Sequence, residues 1–438
     1  MLLFSCKMRK VCIATNFNSA DPAYSLNRVV QDQIKMLRLG SFRPVVIVSE
    51  SFEPIEEYKN AEVRKIPIVP CHNEVKKDPT FDEDVKKLTE AFEKHLKDID
   101  VVLTHDFVYQ PSALKHNIAC RKVAKKYENI RWLHWIHSAT PPYTLANLRP
   151  FFKDEYINLV KEPFPNSFYI AFNDLMKETI PENFGVHISN VKVVPHPIDV
   201  PRFFGFDEIL EKLVREKKVL FADAICTYPV RLDRGKQVEY VIKTMAKLKD
   251  FDMEVRVIIV DFHSTGGDKV VYRDELKRLA ADWGLTPMEI TFTSEFDEKW
   301  RVRVPWETVA KLQMISNVYV HPSVSETYSL TTQEAGVAGA VLVLNQDFPP
   351  MRNIYGPNAI YRKFSSNWDV LADNRFAYKE GTRTETRYAS EEAYHLETAG
   401  MIAYHLRNDF VSAMQIKLRK ERNLEAVFNR YLKPLLFV

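Results

Sequence analysis

Glycine is scarce in this chain, with 12 among 438 residues. That leaves few loops in which a backbone without Cβ can lie against a phosphate. No G-x-G-x-x-G follows any apolar run, which disfavours a dinucleotide oxidoreductase. Cysteine is thin as well: Cys6, Cys12, Cys71, Cys120 and Cys226 stand at scattered spacings with no C-x-x-C. An odd, unpatterned set predicts neither a disulfide framework nor a zinc site, and reads as reduced thiols in a cytosol-like compartment. No apolar run approaches the ~18 residues that span a bilayer. The opening "MLLFSCKMRK" is too short in its apolar part for a signal peptide. A net charge of +3 is small for this length and selects neither nucleic acid nor an anionic membrane as partner. The expectation is a chain without a transmembrane segment, in the cytoplasm, or in the host cytoplasm if the chain is viral.

What the sequence does hold is an alternation of short apolar runs and amphipathic helices. Hydrophobic content of 46% and charged content of 27% are those of a globular chain, and the length suggests two domains. "VCIATN" (11–16) is followed by "SLNRVVQDQIKMLRLG", where Leu26, Val29, Val30, Ile34 and Leu37 recur at helical spacing and Gly40 supplies a stop. Further runs at 44–49, 100–105, 132–137, 167–172 and 191–195 are rich in Val and Ile and do not alternate with polar residues. That pattern predicts strands buried on both faces of a parallel sheet. A second series runs through 224–231, 254–261, 289–294, 317–322 and 340–345. Two βαβ series predict an α/β chain of two doubly wound, Rossmann-like domains facing each other across a cleft. The boundaries read as a first domain over 1–200, a linker over 201–215, a second domain over 216–395 and terminal helices over 396–438, whose return to the first domain stays open. Lys115, Arg121, Lys122, Lys125 and Lys126 on one helix, and the basic run "IKLRKERNLEAVFNRYLK", read as solvated helix faces, with an acidic partner as the alternative.

In open parallel sheets, ligands bind beyond the carboxyl ends of the strands. After "AICTYPV" come Arg231 and, five positions on, Lys236, two cations on a strand-to-helix loop that suit a diphosphate. Arg and Lys pairs flank many helices, so this spacing alone says little. Gly266 and Gly267 in "DFHSTGGD" allow either a close ligand approach or a tight turn. In "HPSVSETYSLTTQEAGVAGAVLVLN", Glu326 and Glu334 stand with seven residues between them at a strand-to-helix junction. Ser329 or Thr327 can cap the helix, leaving its first N–H groups for an anion. Glu326 can then accept from sugar hydroxyls and Glu334 from a ribose. A loop carboxylate and a charge near a helix start are the ordinary alternative.

These segments, in this order, resemble the retaining family 4 glycosyltransferases of the GT-B fold. "HPSVSETYSLTTQEAGVAGAVLVLN" is similar to the family's donor-site segment, and "YPVRLDRGKQVEYVIKTMAKL" to its Arg and Lys segment. "VKVVPHPIDVPRF" resembles the end of the N-domain, and "DVVLTHDFVYQPSAL" with "WLHWIHS" the paired acceptor-side segments. The resemblance covers most of the chain. It implies that Arg231 and Lys236 grip the donor diphosphate, that Glu326 contacts the transferred sugar and that Glu334 holds the ribose. It also implies that the backbone through Thr327, Tyr328, Ser329 and Leu330 approaches phosphate and sugar. His137 would sit over the sugar and Asp106 would line the acceptor side, with His134 as a lesser substitute and an ordinary core histidine as the bland reading of either. Departures stand beside these matches. Thr327 and Ser329 occupy positions where the family usually has Gly, and Val230 stands where Gly commonly precedes the Arg. The first loop, "NFNSADPAYSL", puts Ser19, Tyr24 and Ser25 where a Gly pair is usual.

The implied activity is transfer of a sugar from a nucleoside diphosphate to a hydroxyl with retained anomeric configuration, by same-face attack and without a metal. The donor nucleotide sugar is a substrate, and no cofactor is expected. The acceptor reads as a small molecule or glycan by default. The basic helix, and the aromatic insertion after His137 (Tyr143, Phe151, Phe152, Tyr156), leave a modified DNA base as another acceptor. "THD" and "HWIH" bring His and Asp together without metal-ligand spacing. A nucleotide-sugar epimerase or hydrolase on the same fold, or a non-catalytic sugar or nucleic-acid binding protein, remains an alternative. The sequence carries no reading of the oligomeric state.

Overall fold

A run such as "VRVIIV" is apolar on both sides of its pleat and is stable only where helices cover both faces of its sheet. The computed structural model describes residues 9–70, 79–138, 153–262, 267–323, 328–364, 368–370, 376–378 and 390–437, and within them that condition is met twice. The chain divides into a first unit up to Ile198, rejoined by Leu424 onward, and a second unit from Asp199 to Asn423.

The first unit is built on β1 (Lys10–Ala14), β2 (Arg43–Ser49), β3 (Glu62–Ile66), β4 (Val101–His105), β5 (Arg131–Trp135), β6 (Ser167–Ala171) and β7 (Val191–Val193). They run parallel in the order β3-β2-β1-β4-β5-β6-β7. The second holds β8 (Ala224–Pro229), β9 (Val255–Val260), β10 (Ile290–Phe292), β11 (Val318–His321), β12 (Val341–Asn345) and β13 (Ile360–Arg362). Their order, β10-β9-β8-β11-β12-β13, repeats that of the first six strands, again all parallel. In each sheet the order reverses beside the first strand, between β1 and β4 and between β8 and β11. Both units are therefore doubly wound, with a crevice expected at each reversal.

Two short strands of these parallel sheets were not legible as apolar runs. β3 is an edge strand reading EVRKI, whose Arg64 pairs with Asp98 at 2.7 Å and with Glu62 at 2.7 Å. Charges of this kind keep an edge from pairing with another sheet. β13 is three residues long at the opposite edge of the second sheet. The stretch expected as a linker, 201–215, is helical and lies in the second unit. Asp199 caps Val200–Phe204 through Arg202 N, and Asp207 caps Glu208–Glu216 through Ile209 N and Leu210 N.

The terminal helices part company. Glu391–Asn408 and Phe410–Arg422 stay with the second unit, where buried Arg419 donates to Ile315 O at 2.8 Å and Ala222 O at 2.7 Å. From Leu424 the chain packs in the first unit, and the Phe428 ring lies against Gly40. A Cβ at Gly40 would collide with that ring, so this glycine serves packing as well as ending the helix Ser25–Leu39. No helix among the described residues is long and apolar enough to cross a membrane.

The basic helix Leu114–Lys126 is not a solvated cationic face throughout. Lys115 is 1% exposed and pairs with Asp84 at 2.7 Å. Arg121 is also buried and donates to Leu159 O at 2.9 Å and Glu162 O at 2.8 Å. Lys125 and Lys126 pair with Glu162 and Glu93, and Lys122 stays exposed. These cations meet acceptors of their own unit, because the neighbouring helix Phe81–Leu96 and the turn after Lys153–Lys161 supply them. Removing one member of a buried pair leaves the other charge uncompensated. Lys115→Met is therefore expected to destabilise the protein by about 3 kcal/mol in urea unfolding, and Lys115→Met with Asp84→Leu to recover most of it. Equal losses in the single and double variants would show that Lys115 does not neutralise Asp84.

Candidate active site

At the reversal in the second unit, Arg231 follows β8 by two residues and is exposed, with its Nε 3.5 Å from Asp233 Oδ2. Lys236 closes the short turn Arg234–Lys236, and its Nζ donates to Ser323 Oγ at 3.4 Å. Ser323 lies just past β11, and its carbonyl accepts from Asn345 Nδ2, at the end of β12, at 3.1 Å. Lys236, Ser323 and Asn345, from the ends of β8, β11 and β12, are thus linked by hydrogen bonds. Gly267, with φ +54 and open space where a Cβ would stand, makes the turn that begins the helix Asp268–Asp282. Gly266 lies outside the described residues.

Glu326 and Thr327 also lie outside the described residues. Tyr328 and Leu330 are exposed on either side of Ser329, which is the N-cap of Leu330–Val337. Ser329 has φ +58, the left-handed region that favours glycine, and carries a side chain there. Its hydroxyl bonds Thr332 Oγ1 at 2.7 Å and makes no side-chain bond to the helix's first N–H groups. Those N–H groups and the positive dipole end are the feature that suits an anion. Glu334 lies on this helix, and its Oε1 accepts from the indole N–H of the exposed Trp306 at 3.0 Å.

In the first unit the expected residues fall at neighbouring strand ends, but with different duties. Asp106, one residue past β4, has φ +60. Its Oδ1 accepts from His137 N at 3.0 Å and from the Tyr109 hydroxyl, which in turn accepts from Ser138 N at 3.0 Å. One carboxylate oxygen therefore pins the main chain of the β5 end. His137 is partly buried, with Nε2 3.0 Å from His105 Nδ1 and its ring beside Phe172 and His196, which stack on each other. His105 Nε2 lies 3.0 Å from Gln33 Oε1. His134 is a core residue, bonded to Thr104 Oγ1 at 2.7 Å and packed against Trp132 and Phe164, so it is no substitute for His137. Tyr24 stands half-exposed, edge-on to Phe17. Burial and then the nearby Asp106 raise its phenol above the ordinary range. Ser25 opens the following helix, and Ser19 O accepts from Asn27 Nδ2 at 3.4 Å.

Burial dominates the electrostatics here. It lowers His137 to about 4 and, with His137 and His196 nearby, holds His105 well below the usual imidazole range. It raises Asp106 to about 6 against the bonds from Tyr109 and His137 N. The histidines are neutral at physiological pH. No group of three or more His, Cys, Asp or Glu that could hold a metal ion occurs among the described residues. Of the aromatic insertion, Tyr143, Phe151 and Phe152 lie outside the described residues. Tyr156 is buried in the first unit's core and unavailable for stacking on a ligand.

His105, His196, Gln33, Ser323 and Trp306 were missed by sequence reasoning. "THD" held His105 next to Asp106, and "PHP" held His196 at the end of β7. Gln33 had no local signal, since its partner is 72 positions away.

Asp106 titrates within an accessible range. Its folded pKa lies above that of an unfolded aspartate, so the folded state holds the extra proton between about pH 4 and 6. That contribution to stability is present at low pH and lost as pH rises through about 6. Asn tolerates φ near +60° and keeps the accepting Oδ1 without the charge. Asp106→Asn is accordingly expected to gain stability relative to wild type on going from about pH 4.5 to about pH 8, read from thermal melts. A constant difference would show that Asp106 does not titrate here.

The match to a known family falls on the second unit. Residues 212–375 match the family described as glycosyl transferases group 1, and this range contains Arg231, Lys236, Glu326 and Glu334. No curated protein matches the sequence. Among solved structures, the chain is similar to a glycosyltransferase from Rickettsia africae, at 14% identity over 98% of each chain and a TM-score of 0.36. It is similar to HepE from Anabaena, solved in complex with UDP, at 14% identity over 98% of this chain and 100% of that one, with a TM-score of 0.35. It is also similar to sucrose-phosphate synthase from Thermosynechococcus elongatus, at 15% identity over 98% and 96%, with a TM-score of 0.35. At such identities and scores these likenesses are loose, and the weight lies on the family match and the strand orders. The second unit thus holds the segment that matches glycosyl transferases group 1, and each of the two units is a doubly wound, Rossmann-like α/β structure.

Proposed function

We propose that this protein moves a sugar from a nucleoside diphosphate to an acceptor hydroxyl with retention of anomeric configuration, and that the chemistry needs no metal. The observation that carries the reading is the convergence of Lys236 and Ser323 at the β8–β11 reversal, inside the range that matches the family. Two cations and an N-terminal helix turn with no side-chain cap are what a departing diphosphate requires, because charge grows on it as the glycosidic bond lengthens. Arg231 and Lys236 take the phosphates, and Glu334 takes the ribose hydroxyls. Trp306 fixes one oxygen of Glu334 and leaves the other to the ligand. Glu326 takes a hydroxyl of the transferred sugar, and Thr327, Tyr328, Ser329 and Leu330 line the approach of phosphate and sugar.

In a retaining reaction of this type, the acceptor attacks the face from which the diphosphate leaves. The leaving oxygen can take the acceptor's proton, so no protein base is required. His137, neutral and held at its main chain by Asp106, makes a hydrogen bond to a sugar hydroxyl and carries no charge into the transition state. Asp106 is then a positioning residue, and not a group that meets the acceptor through the oxygen already engaged. The acceptor is a small molecule or glycan. The helix Leu114–Lys126 gives no support to a DNA acceptor, since Lys115 and Arg121 are consumed inside the unit.

Calorimetry with nucleoside diphosphates, followed by turnover of the corresponding nucleotide sugars, tests this. Arg231→Ala is expected to weaken nucleoside diphosphate binding by about 10- to 100-fold. Glu326→Gln is expected to lower kcat by about 100-fold while leaving that affinity within about threefold. Small, equal effects of both would remove the assigned roles. Turnover of a nucleotide sugar that is indifferent to every added acceptor would replace transfer by an epimerase or hydrolase reading.

A further inference from the structure

His137 has two ring nitrogens, and among the described residues only Nε2 has a hydrogen-bond partner, His105 Nδ1 at 3.0 Å. Behind it, His105 Nε2 meets Gln33 Oε1 at 3.0 Å. Gln33 is 1% exposed and His105 5%, so water does not compete for these bonds. The three residues come from the helix Ser25–Leu39, the end of β4 and the loop after β5. The main chain at His137 is fixed separately, by the bond from its N–H to Asp106.

A chain of this kind has a direction. A neutral imidazole carries one N–H and one lone pair, whereas an amide oxygen only accepts. Gln33 Oε1 therefore takes the N–H of His105 Nε2, which leaves His105 Nδ1 with the lone pair. That lone pair takes the N–H of His137 Nε2, and His137 Nδ1 is left as an acceptor. Nothing charged is needed at any step, in keeping with a site whose histidines are buried and neutral.

The geometry points to Gln33 and His105 as positioning residues that hold His137 in its Nε2–H tautomer, so that Nδ1 receives a hydrogen bond from a hydroxyl of the reacting sugars. This rests on the role proposed for His137 only where it names the hydroxyl; the tautomer itself does not depend on activity. A hydroxyl that donates to Nδ1 keeps its oxygen lone pairs for other partners, and a ring locked from behind cannot turn to offer an N–H instead. An ether or deoxy substituent at that position would lose the bond.

Nitrogen chemical shifts of the histidine rings in the full-length, 15N-labelled protein read the tautomer directly. In wild type near neutral pH, His105 and His137 are both expected to be protonated at Nε2 and bare at Nδ1. Gln33→Met removes the terminal acceptor and is expected to shift both rings toward a mixture of tautomers. It should also lower kcat by about 10- to 100-fold with nucleoside diphosphate affinity unchanged. Protonation of His137 at Nδ1 in wild type would overturn the proposal, since it means that the Gln33 amide is turned the other way and the chain runs in reverse. Unchanged spectra in Gln33→Met would overturn it as well. If the wild-type shifts are as expected but no nucleotide sugar is turned over, the relay stands and the transferase role of His137 falls.

Discussion

A parallel sheet covered by helices on both faces has no free surface except at its ends, and only the carboxyl ends open onto the strand-to-helix loops. Arg231, Asp106 and His137 are placed by that constraint. β8, β11 and β12 deliver Arg231, Ser323 and Asn345 to one reversal of strand order, and β4 and β5 deliver Asp106 and His137 near the other. The same register that aligns His105 with Trp135 across β4 and β5 puts the residues just beyond them within hydrogen-bonding reach. The helices behind the sheet then contribute only what reaches the ends, such as Gln33 and the indole of Trp306.

The two ends handle charge in opposite ways. In the second unit the cations stay near the surface: Arg231 is exposed, and Lys236 reaches toward the Ser323 hydroxyl at the strand ends. In the first unit the polar groups are desolvated, and burial pushes each toward its neutral form: the histidines down, Asp106 up. A neutral imidazole offers one donor and one acceptor, so a network built from such groups has a direction.

How much of this the sequence could tell depends on the range of the interaction concerned. Central strands were legible because burial on both faces writes itself into consecutive residues, as in Val255–Val260. β3 was not, because an edge strand carries charge for solubility and so resembles a loop. Arg231 and Lys236 were legible from their place after a strand, and Ser329 from its place before a helix. Lys115 and Arg121 were misread as solvated because helical periodicity cannot see that Asp84, or the carbonyls near Glu162, lie opposite. Gln33 was invisible for the same reason.

The scarcity of glycine has a physical counterpart in the loops. Ser329, Asp106 and Gln237 all sit at positive φ, where a side chain costs roughly 1 kcal/mol relative to glycine. Each returns something glycine cannot. Ser329 bonds Thr332, Asp106 grips the main chain at His137, and Gln237 reaches Phe364 O. A glycine at these positions would leave the backbone path intact but free to move, and each of these bonds instead ties a strand-end loop to the element beside it. The chain has thus exchanged open space at its loops for rigidity. In each unit the strand-end loops thus carry serine, aspartate or glutamine side chains where a glycine would offer bare backbone.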